Sequence, residues 1–467
     1  MIAVSGALAL AYTLALFWFC HENGSLRGDD ILYFADARRR PFLDFVAEQM
    51  DVHAVPLHRA ATYLVPHLGR PDYGALLVVM VAVHALGVWL LYRALQAFAP
   101  NPGNAFATFW YASFVEMGVI FLWWTSALHR LPYVALSALS LYAYARFRRE
   151  HSPAWAACVV ASVIGALGFF EKGVITAMML GAIEAALFFE TDPRDRRKNW
   201  LLVGGLAIVC CVHFAIWRSA VGSSWSSVAV APLLGTYMLA SYHLLLSGTV
   251  GRVTEWRWPA LALWTLLVAV TIRRAPRTSL LWVAGFFVVS ASLLTTGLSV
   301  PRLQTWGMLL PYYSHRYYAD VMFDVVVFFA LVWQRAFPSG AWALRGRKSR
   351  WLSASSAIMA MTALALVSIK SSFKLMRETY GETRAAKRYI DNVVAGMERL
   401  KTAPHPPAFV DGSVPIYLNP IGGETARKSV LLYALGYHAK FYEPRVARRR
   451  RGLYSITDSG EIQSNRR

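Results

Sequence analysis

Charge is scarce in this chain and acid scarcer still: of 467 residues only 16% are charged, with 27 Asp and Glu against 47 Lys and Arg. A chain so poor in charge, with 56% hydrophobic residues and 17 Trp, lies outside the composition of soluble domains and belongs in a bilayer. Cysteine is nearly absent. Cys20, Cys158, Cys210 and Cys211 lie in or beside apolar segments and the C-terminal tail has none, which argues against a disulfide framework or a thiolate zinc site. The first apolar run, Ile2 to Cys20, lacks both a basic leader and a small-residue cleavage site, so it is expected to be retained as a signal anchor. The shortage of acid leaves a net charge of +20. Because the basic residues gather in short gaps between apolar runs, they mark cytoplasmic loops rather than a nucleic-acid surface.

A helix rising 1.5 Å per residue needs about 20 apolar residues to cross roughly 30 Å of hydrocarbon. Eleven runs meet that length while keeping the strong basic gaps on one side: approximately 2–20, 74–95, 105–125, 131–147, 154–170, 174–190, 199–217, 257–272, 279–298, 319–334 and 351–370. The expected fold is therefore an α-helical polytopic membrane protein with about 11 transmembrane helices and a cytoplasmic N-terminus. The inner gaps then hold Arg93, Arg146/Arg148/Arg149, Arg194 to Lys198, Arg273/Arg274/Arg277 and Arg335 through Arg350. An odd number of crossings divides the chain into a membrane module, 1–370, with a first outer loop at 21–73, and an extracytoplasmic C-terminal domain, 371–467. The apolar segment Val228 to Leu246 fits only as a re-entrant or interfacial helix, since a full crossing there would move Arg273, Arg274 and Arg277 outside.

The outer loops carry the unusual chemistry. The first, Asn23 to Asp72, is about fifty residues long and too apolar for disorder. "PFLDFVAEQM" and "VPLHRAATYLVPHLG" each place apolar residues at helical spacing, Leu57, Ala61, Leu64 and Leu68 among them, which predicts two interfacial helices. They follow "GDDILYF", where Asp29 and Asp30 either begin a helix, with charge favourable to its dipole, or serve as a general base with an adjacent acid. The later loops are "WWTSALHRLP" at Trp123 to Pro132, the turn at Glu171 and Lys172, the region 218–256, and "LLPYYSHRYYAD" at Leu309 to Asp320. Arg130, Lys172 and Arg316 fall at expected outer helix ends, apt for a lipid-linked phosphate or for snorkelling to the interface; adjacent Glu171 offers Lys172 a neutralising partner. Acids at membrane depth, Glu116, Glu171, Glu184, Asp320 and Asp324, each invite a functional hypothesis, with Glu184 read as facing the bundle. Trp123/Trp124, Tyr312/Tyr313 and Tyr317/Tyr318 suit stacking on sugars or an interfacial aromatic belt. His53, His58 and His67 match no compact metal motif, and head-group contact suits His58 and Arg59 better.

These features together resemble the GT-C superfamily of multi-spanning glycosyltransferases, which includes protein O-mannosyltransferases and lipid A aminoarabinose transferases. The likeness lies in a first helix, a large outer loop opening on an acidic pair and continuing as two interfacial helices, and a soluble outer tail. It covers residue 1 to about 335, and "WWTSALHRLP" and "FFEKG" are similar to stretches of actinobacterial members. It implies that Asp29 is the base, with Asp30 its neighbour. The pair is Asp-Asp rather than the Asp-Glu of the mannosyltransferases, and the tail motif of the oligosaccharyltransferases is absent. The resemblance implies transfer of a sugar from a polyprenyl-phosphate donor to a glycan, lipid or protein acceptor on the outer face, with membrane lipid as a further partner. The residues expected around the substrate are His58, Arg59, His129, Arg130, Glu171, Lys172, His315, Arg316 and Tyr317; no metal ligand is assigned, although a divalent ion is compatible with the class.

In the tail, residues 374–402 read as a helix with Tyr389, Val393 and Met397 on its apolar face, followed by strand-like runs around Phe409, Tyr417, Phe441 and Tyr454 and a helical "RKSVLLYALG", a small α/β domain. "RVARRRR" at Arg445 to Arg451 is either a solvated patch or a grip on an anionic partner. Two other functions use similar parts. A transporter or flippase would show paired repeats and broken helices at matching positions, and no repeat is evident. A non-catalytic scaffold would use the same tail.

Overall fold

The computed structural model describes residues 2–48, 53–221, 237–238, 240–242, 245, 257–297, 318–338, 347–379, 383–402, 406–418, 426–447 and 452–465. Its membrane part is helical: α1 (Ile2–Asn23), α2 (Asp29–Arg39), α3 (Phe42–Ala47), α4 (Pro56–Leu68), α5 (Tyr73–Phe98), α6 (Gly103–Ala112), α7 (Met117–Phe121), α8 (Trp124–Glu150), α9 (Pro153–Phe169), α10 (Gly173–Ala186), α11 (Pro193–Val221), α12 (Arg257–Arg274), α13 (Thr278–Gly297), α14 (Tyr318–Ala336) and α15 (Arg347–Thr379). Among the described residues, the segments Ala3–Asn23, Tyr73–Phe98, Pro193–Ser219 and Thr278–Thr295 are long and apolar enough to cross a membrane, and Pro153–Phe169 and Gly173–Ala186 are shorter apolar helices. The bundle is apolar outside as well as inside. Leu201, Ile208, Val283 and Phe286 are exposed, whereas Lys172, Glu184, Asp320 and Asp324 are buried. Large apolar side chains turned outward over buried charge suit a hydrocarbon surround.

Two expected elements differ. The run 105–125 forms α6 and α7 with a break at Ser113 to Glu116, not one continuous helix. The carbonyls freed by the break are taken up inside the bundle: Tyr12 Oη donates to Phe114 O at 2.9 Å and Ser372 Oγ to Val115 O at 2.8 Å. Irregular backbone at membrane depth is tolerated on that condition. "WWTSALHRLP" is not a turn either. From Trp124 onward it is the beginning of α8, a 27-residue helix that accommodates Pro132 in its interior and packs along α5 and α9.

The segment 21–73, expected as the first outer loop, forms α2, α3 and α4. Gly28, at φ 50°, takes a left-handed conformation that a side chain would strain, and its N–H bonds Leu418 O at 2.8 Å. The chain then enters α2 with Asp29 and Asp30 in the first turn and Arg38 and Arg39 in the last, charge placed to favour the helix dipole at both ends. In α4 the amphipathic face points outward. Leu57, Leu64 and Leu68 are exposed, and His58, Arg59 and Thr62 are buried.

The basic gaps expected inside meet at one end of the bundle. Arg148 Nη2 donates to Thr191 Oγ1 at 2.8 Å, Arg149 Nη2 to Phe98 O at 3.2 Å, and Arg335 pairs with Glu190 at 3.2 Å. Glu184 is fully engaged nearby, accepting from Tyr144 Oη at 2.8 Å and Asn199 Nδ2 at 3.0 Å and pairing with Arg148 at 3.1 Å, which gives it a structural role.

The tail begins later than the last apolar run suggests, since α15 continues to Thr379. Helix α16 (Thr383–Leu400) buries Tyr389, Val393 and Met397. A four-stranded sheet follows, in the order β2-β1-β3-β4, from β1 (Ala408–Val410), β2 (Lys440–Tyr442), β3 (Leu453–Ile456) and β4 (Ile462–Asn465). β1 is parallel to both β2 and β3, while β3 and β4 are antiparallel. Tyr417 lies in a turn rather than a strand. This unit docks on α2: Tyr433 Oη donates to Arg38 O at 3.1 Å, and Arg70 Nη1 reaches Glu398 Oε1 and Tyr437 Oη, each at 3.2 Å.

Candidate active site

The end of the bundle opposite the basic cluster gathers most of the outer-loop residues. Asp30 is wholly buried, and both carboxylate oxygens are engaged. Oδ1 accepts from Thr125 N at 2.9 Å and Thr125 Oγ1 at 2.6 Å, and Oδ2 accepts from Arg27 N at 3.2 Å. Burial raises the Asp30 carboxyl to about 7 against the lowering effect of those donors. Asp30 thereby fastens the start of α2 to the start of α8. Asp29, its neighbour, is partly exposed in the first turn of α2.

Thr125 begins a run of contacts leading inward. Its carbonyl lies 3.3 Å from His58 Nε2, and the next residue, Ser126, accepts from Arg130 Nη1 through its carbonyl at 3.0 Å and its hydroxyl at 2.9 Å. Arg130 Nε stands 3.7 Å from Asp320 Oδ1, and Lys172 Nζ donates to Asp320 Oδ2 at 2.6 Å. Phe170 lies beneath both cations, its ring centre 5.3 Å from the Arg130 guanidinium and 5.8 Å from Lys172 Nζ. Residues from α8, the α9–α10 turn and α14 thus converge on one buried carboxylate. Asp324, one helical turn beyond Asp320, is buried toward Ser292.

The close approach of the α9–α10 turn requires Gly173, where a Cβ would stand 2.5 Å from Leu167 N. In that turn Glu171 does not neutralise Lys172. It pairs with the first outer loop instead, at 2.9 Å from His53 Nδ1 and 2.7 Å from Ala54 N. Burial raises the Glu171 carboxyl, but the His53 ring and the Ala54 N–H outweigh it and hold it below its ordinary value.

His58 and His129 stack face to face with centroids 3.9 Å apart, and His53 lies 5.1 Å from His129. Stacked rings direct their nitrogens along parallel planes rather than toward one centre, and among the described residues no group of three His, Cys, Asp or Glu is arranged to hold a metal ion. Burial lowers His58 to about 3, so it is neutral at physiological pH. Arg59 is occupied with the loop itself: its guanidinium donates to Phe45 O at 2.7 Å and Glu48 Oε2 at 3.1 Å and lies 3.6 Å over the Phe45 ring. His58 and Arg59 therefore assemble α3, α4 and α8 rather than facing open space. His315, Arg316 and Tyr317 lie outside the described residues, as does most of Val228 to Leu246.

An apolar groove of about 660 Å³ runs between α4, α5 and α8, lined by Leu64, Leu68, Val83, Leu90, Leu139 and Phe169 among others. Phe169 walls the groove and its neighbour Phe170 touches Arg130 and Lys172. Thr125 and Ser126 escaped the sequence reading. The signal for Ser126 is its i,i+4 spacing from Arg130, visible once α8 is known to begin at Trp124.

No family model matches the sequence, and no curated protein does. Among solved structures, the chain is similar to the crystal structure of ArnT from Cupriavidus metallidurans bound to undecaprenyl phosphate, at 13% identity over 93% of this chain and 85% of that one, with a TM-score of 0.48.

Proposed function

We propose that the protein is a GT-C-type membrane glycosyltransferase that moves a sugar from a polyprenyl-phosphate donor to an acceptor hydroxyl on the outer face of the membrane. The observation that carries this reading is the meeting of two buried cations from distant parts of the chain, Arg130 and Lys172, on the buried carboxylate of Asp320, with Arg130 on the same helix, α8, whose first turn Asp30 clamps through Thr125. Buried cations demand anionic partners, and a single carboxylate between two of them marks a place suited to phosphate oxygens. The apolar groove gives the isoprenoid tail a path along α5 and α8.

In this mechanism Asp30 fixes the first turn of α2, and Asp29 takes the acceptor proton as the hydroxyl attacks the anomeric carbon. The bond from that carbon to the phosphate oxygen breaks, and the departing polyprenyl phosphate keeps the electron pair. Arg130 and Lys172 stabilise the charge that develops on it. The reading is tested by reconstituting the protein with radiolabelled polyprenyl-phosphate sugars and comparing it with Lys172→Ala. Transfer by the wild type and its loss in the variant support the reading; equal transfer by both removes the cation from the mechanism.

A further inference from the structure

Asp320 occupies the place where a phosphate would meet both cations. Its Oδ2 takes the Lys172 ammonium at 2.6 Å and its Oδ1 faces Arg130 Nε at 3.7 Å, with all three side chains at or below 4% exposure. A second anion entering the same pair must compete with this carboxylate, because a buried cation holds few partners and like charges at that distance repel. Asp320 lies in the first described turn of α14, where the helix dipole favours a carboxylate. Asp324, one turn further along α14, is a second buried acid on the same helix.

Resting on the glycosyltransferase reading, we infer that Asp320 is an internal stand-in for the donor phosphate: it holds Arg130 and Lys172 in the empty site and is displaced when a lipid-linked phosphate binds. The carboxylate keeps the cations compensated between turnovers and sets an exchange that only an anion able to reach both of them completes. An occupied seat lowers apparent affinity by the fraction of molecules in which the seat is free.

The test measures binding of undecaprenyl phosphate, undecaprenol and inorganic phosphate to the full chain in lipid nanodiscs by native mass spectrometry, for the wild type and for Asp320→Asn. Removing the competing charge should tighten undecaprenyl phosphate by roughly tenfold or more. Undecaprenol should bind equally to both proteins. Inorganic phosphate should gain little, since it lacks the tail that places the head group. Unchanged or weaker binding of undecaprenyl phosphate to a folded Asp320→Asn overturns the inference, as does an equal gain for undecaprenol or inorganic phosphate.

Should Asp320→Asn fail to fold, a cryo-electron microscopy structure of the wild type with undecaprenyl phosphate decides. Phosphate oxygens on Lys172 and Arg130, with Asp320 beyond ion-pair distance, support the exchange; an intact Lys172–Asp320 contact beside bound lipid refutes it. The glycosyltransferase reading fails separately, in the transfer assay. A wild type that transfers sugar but keeps the Asp320 contact loses only the exchange, whereas one that exchanges but transfers nothing loses only the enzyme reading.

Discussion

At the scale of single residues, the two acids of the Asp-Asp pair have different environments and should respond differently to change. Asp30 is held by three donors at no exposure, and its carboxyl is raised to about 7 from an ordinary 3.8. A raised carboxyl binds a proton more tightly in the folded state, so its contribution to stability is fully present below the unfolded value and is lost as pH rises through about 7. Asp30→Asn should therefore flatten the pH dependence of the melting temperature between mildly acidic and mildly alkaline buffer. It should also lower stability throughout, because the amide nitrogen cannot accept the Arg27 N–H. Parallel pH profiles for the two proteins would contradict the raised carboxyl. The acidic pair was legible in the sequence, but the division of labour within it was not, since the donor that occupies Asp30 lies 95 residues away on α8. Lys172 is legible as a cation at a helix end, with Glu171, the nearest acid along the chain, as one partner open to it; the partner it takes, Asp320, is 148 residues distant and leaves no such trace.

At the scale of elements, the period of the apolar residues locates α4 but not the way it faces, and it does not show the break between α6 and α7. Leu57, Leu64 and Leu68 line up at helical spacing and are exposed, Leu64 and Leu68 along the wall of the apolar groove, because the buried face of α4 carries His58 and Arg59. The WWTSALHRLP stretch misled because Pro132 and its polar neighbours signal a turn, whereas packing of α8 along α5 and α9 carries the helix through. Two predictions belong here. Gly173→Ala would set a Cβ 2.5 Å from Leu167 N and 2.9 Å from Ala166 C, backbone atoms that cannot rotate aside. The variant should lose about 1–3 kcal/mol of stability and shift Lys172, so calorimetry should register a lower melting temperature and a binding assay weaker uptake of polyprenyl phosphate. Val83→Trp should fill the apolar groove and raise KM for a long-chain donor by roughly tenfold while sparing a short-tailed one. Equal effects on both donors would remove the groove as the path of the tail.

At the scale of the whole molecule, sequence and structure agree on a largely helical bundle with apolar, membrane-span-like helices. The meeting of Arg148, Arg149 and Arg335 with residues around Glu190, and of Asp30, Arg130 and Lys172 around Thr125 and Asp320, separates the two ends along α8. Cysteines placed at the exposed positions Asp44 and Arg194 should then differ. An impermeant maleimide should label Asp44→Cys in intact cells and Arg194→Cys only after lysis, and the reverse pattern would turn the site toward the cytoplasm. The docking of the tail on the start and end of α2 through Leu418 and Tyr433, and on Arg70 through Tyr437, was not legible at all, because contacts between segments distant along the chain leave no periodic trace in a sequence. The central claim is that Asp29 abstracts the acceptor proton at a helix start fixed by Asp30. Its most direct test is the single-turnover rate of sugar transfer by Asp29→Asn at saturating donor. The rate should fall by about a hundredfold or more with donor affinity unchanged, and a variant that transfers sugar at the wild-type rate would contradict the account.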